Sequence, residues 1–183
     1  IERVNKVIDY GHSFPLGLLK HECLIYDADN VELERYATID TICNPYPGTL
    51  KYTRAFAIAE EFLAAANLHI LRQDREIAAY CLYQCVIQLY AAALLKGTGI
   101  WFVSDDITRL QRYNYWHSSE MREILQIDKE SGANICRSLQ KANYNSRFNY
   151  SFQVSDRDIH LYQTEIRKLF DLTLKILKDP STI

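Results

Sequence analysis

The amino-acid sequence predicts an all-α fold, an antiparallel bundle of about five helices over residues 49–183, with a small α/β remnant over residues 1–48. Three observations carry that prediction. From Tyr52 onward apolar residues return every three or four positions, the spacing that lays a stripe along one helix face. Residues 77–95 are apolar all round apart from Gln84, Gln88 and tyrosine hydroxyls, as the centre of a bundle or a dimer seam requires. Finally, capping residues (Asp74, Ser104, Asp105, Ser118, Ser119, Ser155) and stop residues (Gly97, Gly99, Pro180) punctuate the chain at helix-length intervals.

Taken in order, residues 1–30 combine a short helical pattern (Val4, Val7, Ile8), a stop at Gly11, and an apolar turn through Leu16, Leu18 and Leu19. Cys23-Leu24-Ile25-Tyr26 then reads as a strand. Asn44, Pro45, Pro47 and Gly48 mark a linker and a domain boundary. Phe56, Ala59, Leu63, Ala66 and Ile70 stripe a helix over 51–72, about 33 Å long at ~1.5 Å per residue. Asp74 is placed to cap a second helix running to Lys96, antiparallel to the first. Ser104 or Asp105 caps a shorter helix through Leu110, and Ser118 or Ser119 another through Ile127. A helix over about 129–145 follows. Ser155 with Asp158 forms a capping box with a shortened acid, and Ile159, Tyr162, Ile166, Leu169, Thr173 and Ile176 stripe the last helix as far as Pro180.

Composition narrows the function classes. The 183 residues are 48% hydrophobic with a formal net charge of -2 and a pI near 6.2, so the surface carries no general affinity for polyanions. Any phosphate contact must come from a local cluster. Five cysteines, Cys23, Cys43, Cys81, Cys85 and Cys136, lack framework spacing and read as free thiols in a reducing, cytoplasmic compartment. No secretory leader is read in the opening residues. The only methionine is Met121, so the chain is expected to be a trimmed piece of something longer. A membrane span over 77–95 is rejected: the two glutamines share a face, alanines and tyrosines dilute the apolarity, and no basic flank sets an orientation.

Three segments in order resemble the HEPN family as it occurs behind nucleotidyltransferase domains of the polymerase-beta superfamily. Ala79-Tyr80-Cys81-Leu82-Tyr83-Gln84-Cys85, with Leu94-Leu95 and Thr98-Gly99, is similar to the family's second helix. Leu139-Gln140-Lys141-Ala142-Asn143-Tyr144-Asn145-Ser146-Arg147-Phe148 resembles its Leu-x-x-Ala-Tyr-x-x-Ala-Arg-Tyr run. The helix over 154–177 has the position and polarity of the family's last helix. Landmarks in the first 30 residues, Val4-Asn5, Gly11-His12-Ser13-Phe14 and Leu24-Ile25-Tyr26-Asp27, resemble the tail of the associated nucleotidyltransferase domain. The resemblance implies a HEPN-like bundle acting as the accessory half of a nucleotidyltransferase, with that enzyme's Gly-Ser turn and metal-binding aspartates upstream of Ile1. Gly11-His12-Ser13 with Asp27-Ala28-Asp29 imitates that machinery only superficially. Gly and Ser are not adjacent, and two-metal chemistry wants a third carboxylate on a neighbouring strand.

Catalytic HEPN domains place a histidine a few residues after the Arg, with an acidic or amide residue on the second helix. Here Phe148 to Ser155 contain no histidine, the next is His160, and Ile87 stands where the family often has Glu. Losing acid-base groups removes roughly 10²–10⁴ in rate for each, so no catalytic residues are expected. Cys81 and Cys85 could supply two metal ligands from one helix face. They read more simply as packed thiols, and neither a metal nor a cofactor is expected. His12, His21, His69 and His117 are single; Asp105-Asp106 suits a helix cap and Glu60-Glu61 a solvated face.

The informative cluster is basic and aromatic. Arg137 and Lys141 are four residues apart on one helix face, Arg147 follows at its end, and Tyr144, Phe148 and Tyr150 interleave. Guanidinium and ammonium groups suit phosphate oxygens, and aromatic faces accept bases. The alternative is a polar face with Arg147 bridging to Asp156 or Asp158. The resemblance favours a nucleotide site of Arg147, Lys141, Arg137, Tyr144 and Tyr150 for an ATP- or GTP-like ligand, with RNA less favoured. A homodimer is expected as well, because Tyr80, Tyr83, Tyr90, Trp101 and Phe102 exceed what a narrow bundle can bury. Two other classes stay open: a ligand-free dimerisation or interaction domain, and part of an active nucleotidyltransferase.

Overall fold

The computed structural model describes residues 47–115, 118–126, 128–148 and 152–179, with backbone alone at 47–49 and 146–148. The α/β remnant, Cys23, Cys43, His117, Tyr150 and the stop at Pro180 lie outside the described residues. Among these residues the chain forms six helices and no strand: α1 (Pro47–Leu71), α2 (Arg75–Thr98), α3 (Ile107–Tyr115), α4 (Ser119–Arg122), α5 (Glu130–Phe148) and α6 (Asp156–Lys178).

Helix α1 starts four residues earlier than periodicity predicts, because Pro47 at the first helical position gives up no intrahelical bond. Its small residues Ala55, Ala59 and Ala66 are buried and let its backbone lie close to α2. The link between the two is a helix-ending turn without glycine. Gln73 takes the left-handed conformation at φ 64, while Gln73 N–H donates to the Ile70 carbonyl at 3.0 Å and Asp74 N–H to that of His69 at 2.9 Å. Asp74 occupies the cap position of α2 but makes no side-chain cap bond. Its carboxylate instead lies 3.4 Å from His69 Nδ1, which corrects its expected role.

The second helix is the axis of the bundle, packed against α1, α6, α5 and α3. Consecutive long helices alternate in direction, yet α2 and α6 run parallel in contact. Arg75 at the start of α2 pairs with Asp156 at the start of α6, Nη2 to Oδ2 at 2.8 Å, while Lys96 and Asp179 interact where both end. Leu82, Val86, Leu89 and Ala93 are fully buried. Although α2 is long and apolar enough to cross a membrane, 72% of its apolar window is buried inside the bundle. Gly99 ends it at φ 71, its N–H bonded to the Leu95 carbonyl, and Gly97 stays helical.

The shorter elements depart further from expectation. Helix α3 runs to Tyr115 rather than Leu110, and its cap is Asp106, whose Oδ1 accepts from Arg109 N–H at 3.2 Å. Ser104 instead receives the Asp106 amide. Ser118 caps α4 as expected, but α4 is one turn that stops at Arg122, well before Ile127. The chain then bends through Leu125 at φ 50, held by Gln111 Nε2, which donates to the Ile124 and Leu125 carbonyls at 2.8 and 2.7 Å. Ser155 caps α6 by accepting from Asp158 N–H. Asp158, too short for the backbone amide, accepts from the Ser155 hydroxyl at 2.7 Å.

Two of the five aromatics held to exceed the core are buried within the chain, Tyr83 at 2% exposure and Tyr90 at 0%. The Tyr83 hydroxyl donates to the Asp105 carbonyl, and Asn114 Nδ2 reaches the Tyr90 carbonyl at 3.1 Å, so α3 makes the room that a narrow bundle lacks. Phe102 stacks edge-on against Tyr113, with ring centres 4.8 Å apart. Only Trp101 remains markedly exposed among the five, which removes much of that argument for a dimer.

Candidate functional site

Helix α5 has two faces, and its sequence period explains both. Ile135, Cys136, Leu139 and Ala142 turn inward and are buried. The intervening Arg137, Gln140, Lys141, Tyr144 and Asn145 line the outer side. Phe152 and Gln153, just before α6, line the same open groove of about 550 Å³, within the usual range for small-ligand sites. Phe152 is half-buried against the core, which anchors it. Tyr144 is 66% exposed and belongs to the lining.

Of the five residues the sequence nominates, the structure brings Arg137, Lys141 and Tyr144 to this groove. Arg147 lies in the last turn of α5, three residues past Tyr144, with its side chain outside the described atoms. Tyr150 lies outside the described residues. Of the two acids that could pair with Arg147 instead, Asp156 bonds to Arg75 and Asp158 accepts from the Ser155 hydroxyl; each carboxylate keeps acceptor sites, so the alternative stays open.

Charge and polarity in the groove suit an anion with a flat, polar attachment. Arg137 Nη1 donates to Asn134 Oδ1 at 2.9 Å, which steadies the guanidinium and uses one of its five N–H donors. Lys141 adds a second cation one turn along. Gln140 Nε2 donates to Asp106 Oδ1 at 3.2 Å, tying the groove floor to the start of α3. Sequence reasoning missed Gln140, Asn145, Phe152 and Gln153 as site residues. The first two share the helical face with Arg137 and were detectable by spacing; the last two join it only through the chain's return.

Among the described residues, nothing at the groove resembles a nucleophile with a base. Cys136, beneath it, is buried, and burial pushes its thiol up to about 12 with a smaller contribution from the Asp106 carboxylate. Cys85 is likewise pushed up to about 12 by burial, and burial raises Cys81 too, so the thiol pair on α2 is protonated and packed at neutral pH. Among the described residues no three His, Cys, Asp or Glu side chains gather as a metal site. No family model and no curated protein matches the chain.

Proposed function

We propose that residues 49–183 are a non-nucleolytic HEPN-type module that binds a nucleotide such as ATP or GTP in the α5 groove. In this reading it serves as the accessory half of a protein whose nucleotidyltransferase domain lies upstream in cis. The observation that carries the reading is the convergence of Arg137 and Lys141 with the rings of Tyr144 and Phe152 around one groove. Cations hold phosphate oxygens and aromatic faces take bases. Cleavage of RNA is not part of the proposal. Ile87 is half-buried in α2 where an acid would be needed, and His160 is an exposed residue inside α6.

Affinity in this groove should be modest, because side chains alone do the binding without a glycine-rich phosphate loop. Dissociation constants from micromolar to millimolar, about -8 to -4 kcal/mol, are the expected range. Exposed charges are screened within ~8 Å at physiological ionic strength, so salt should weaken binding. Calorimetry with ATP and GTP on the wild type, Lys141→Ala and Arg147→Ala is the test. Loss of affinity in both variants supports the reading, and equal affinity in all three moves the site elsewhere. A second reading, an interaction or dimerisation domain without ligand, is favoured by the exposed run Ile100, Trp101 and Val103 beside the exposed Tyr113. Absence of heat at millimolar nucleotide would favour it.

A further inference from the structure

Among the groove's amides, Gln140 is pinned by a contact that determines which way round it sits. Its partner atom is Asp106 Oδ1 at 3.2 Å, and an ionised carboxylate accepts hydrogen bonds without donating any. The Gln140 atom facing it must therefore be the NH₂ nitrogen, as the contact has it. Asp106 is itself held, since the same oxygen caps α3 by accepting from Arg109 N–H at 3.2 Å. With its nitrogen spent on Asp106, the amide keeps its carbonyl oxygen as the end able to accept from a ligand in the groove that Gln140 lines. Turning it over would set that oxygen against a carboxylate and strand the acceptor pair without a proton.

Resting on the nucleotide reading of the same groove, we infer that the Asp106–Gln140 pair is a base-selecting device: Gln140 Oε1 accepts from the exocyclic amine of an adenine or cytosine. Arg137 and Lys141 meanwhile engage the phosphate, and Tyr144 or Phe152 takes the ring face. Selection arises because an oxo group at the same ring position puts an acceptor against an acceptor. A hydrogen bond made or lost in a partly wet groove is worth roughly a three- to tenfold change in affinity. Sites that hydrogen-bond one functional group discriminate against its absence because their own polar atom is then left unpaired.

The experiment titrates the chain with four probes of matched charge, AMP, IMP, CMP and UMP, and with inorganic pyrophosphate as a base-free control. AMP should bind roughly three- to tenfold tighter than IMP, and CMP tighter than UMP by a similar factor. In Gln140→Leu both ratios should fall to about one while pyrophosphate affinity is unchanged. Asp106→Asn is the second variant, since asparagine caps a helix as well as aspartate does but offers Gln140 either a donor or an acceptor; its base ratios should shrink with the melting temperature held. Pyrophosphate binding with no base preference in the wild type overturns the inference and leaves the phosphate reading intact. Preference for IMP and UMP, or ratios unmoved in both variants, also overturns it. Silence of all five probes at millimolar concentration overturns the inference and the nucleotide reading together.

Discussion

Helices α2 and α5 lie against each other, yet their side chains are spent in opposite ways. Between Ala78 and Lys96 only Tyr80, Gln84, Ile87 and Gln88 escape full burial on α2, and even Lys96 is 7% exposed. Its ammonium lies 5.6 Å from the centre of the Tyr52 ring, and burial lowers its pKa while the Asp179 carboxylate opposes the shift. On α5 the inner face is as dry, but Arg137, Lys141 and Tyr144 are exposed. The half-buried stripe of α2 is tyrosine, glutamine and isoleucine without charge, whereas the outer face of α5 is exposed and carries two cations.

The largest test of that contrast is truncation. Leu82→Ala on α2 should destabilise the chain by about 2–5 kcal/mol, the range for large-to-small changes in a packed core. Tyr144→Ala on α5 should move stability by less than about 0.5 kcal/mol. Urea unfolding of both variants measures the difference, and similar midpoints would mean that the outer face of α5 is structurally engaged after all.

Alkaline pH probes the dry faces that the two helices share, through one thiol on each. The folded pKa values of Cys85 and Cys136, at about 12, stand above the ~8.5 of an unfolded cysteine. Protons held by the folded state are released on unfolding, so this stability is fully present below about pH 8.5 and is lost as pH rises toward the folded values. The slope approaches about 1.4 kcal/mol per pH unit for each thiol. Burial also pushes the Tyr90 phenol well above its ordinary value and acts in the same direction. Urea midpoints at several pH values above 8 should therefore fall, less steeply in Cys85→Ala. A flat profile would show that water reaches these thiols.

A smaller effect sharpens the comparison within α5 itself. Gly132, in the first turn, faces the Gln126 carbonyl so closely that an added Cβ would lie 2.2 Å from its oxygen. Because the obstacle is backbone, Gly132→Ala should cost about 1–3 kcal/mol despite alanine's better helix propensity. Thermal melting that shows stabilisation instead would mean that residues 123–126 shift away easily.

Much of this architecture is legible before any tertiary contact is known. The stripe Ile159, Tyr162, Ile166, Leu169 and Thr173 turns out buried on α6, and Ser118, Ser155 and Gly99 end or begin helices where their chemistry says they should. Less legible were the turns at Gln73 and Leu125, both left-handed without glycine, and the cap of α3, which falls on Asp106 rather than on Ser104 or Asp105.

Helix periodicity and caps are local: each is written within a few residues, because the i to i+4 ladder and the terminal amides are satisfied by near neighbours. The all-α class, the dry second helix and the face shared by Arg137, Lys141 and Tyr144 therefore follow from residue order alone. The parallel contact of α2 with α6 brings together pairs such as Arg75 and Asp156, 81 residues apart. The groove depends on Phe152 returning to α5, and the orientation of Gln140 on an acid 34 residues away. Such long-range partners leave no periodic trace, since closing a loop specifies which side chains meet only when the whole core packs at once.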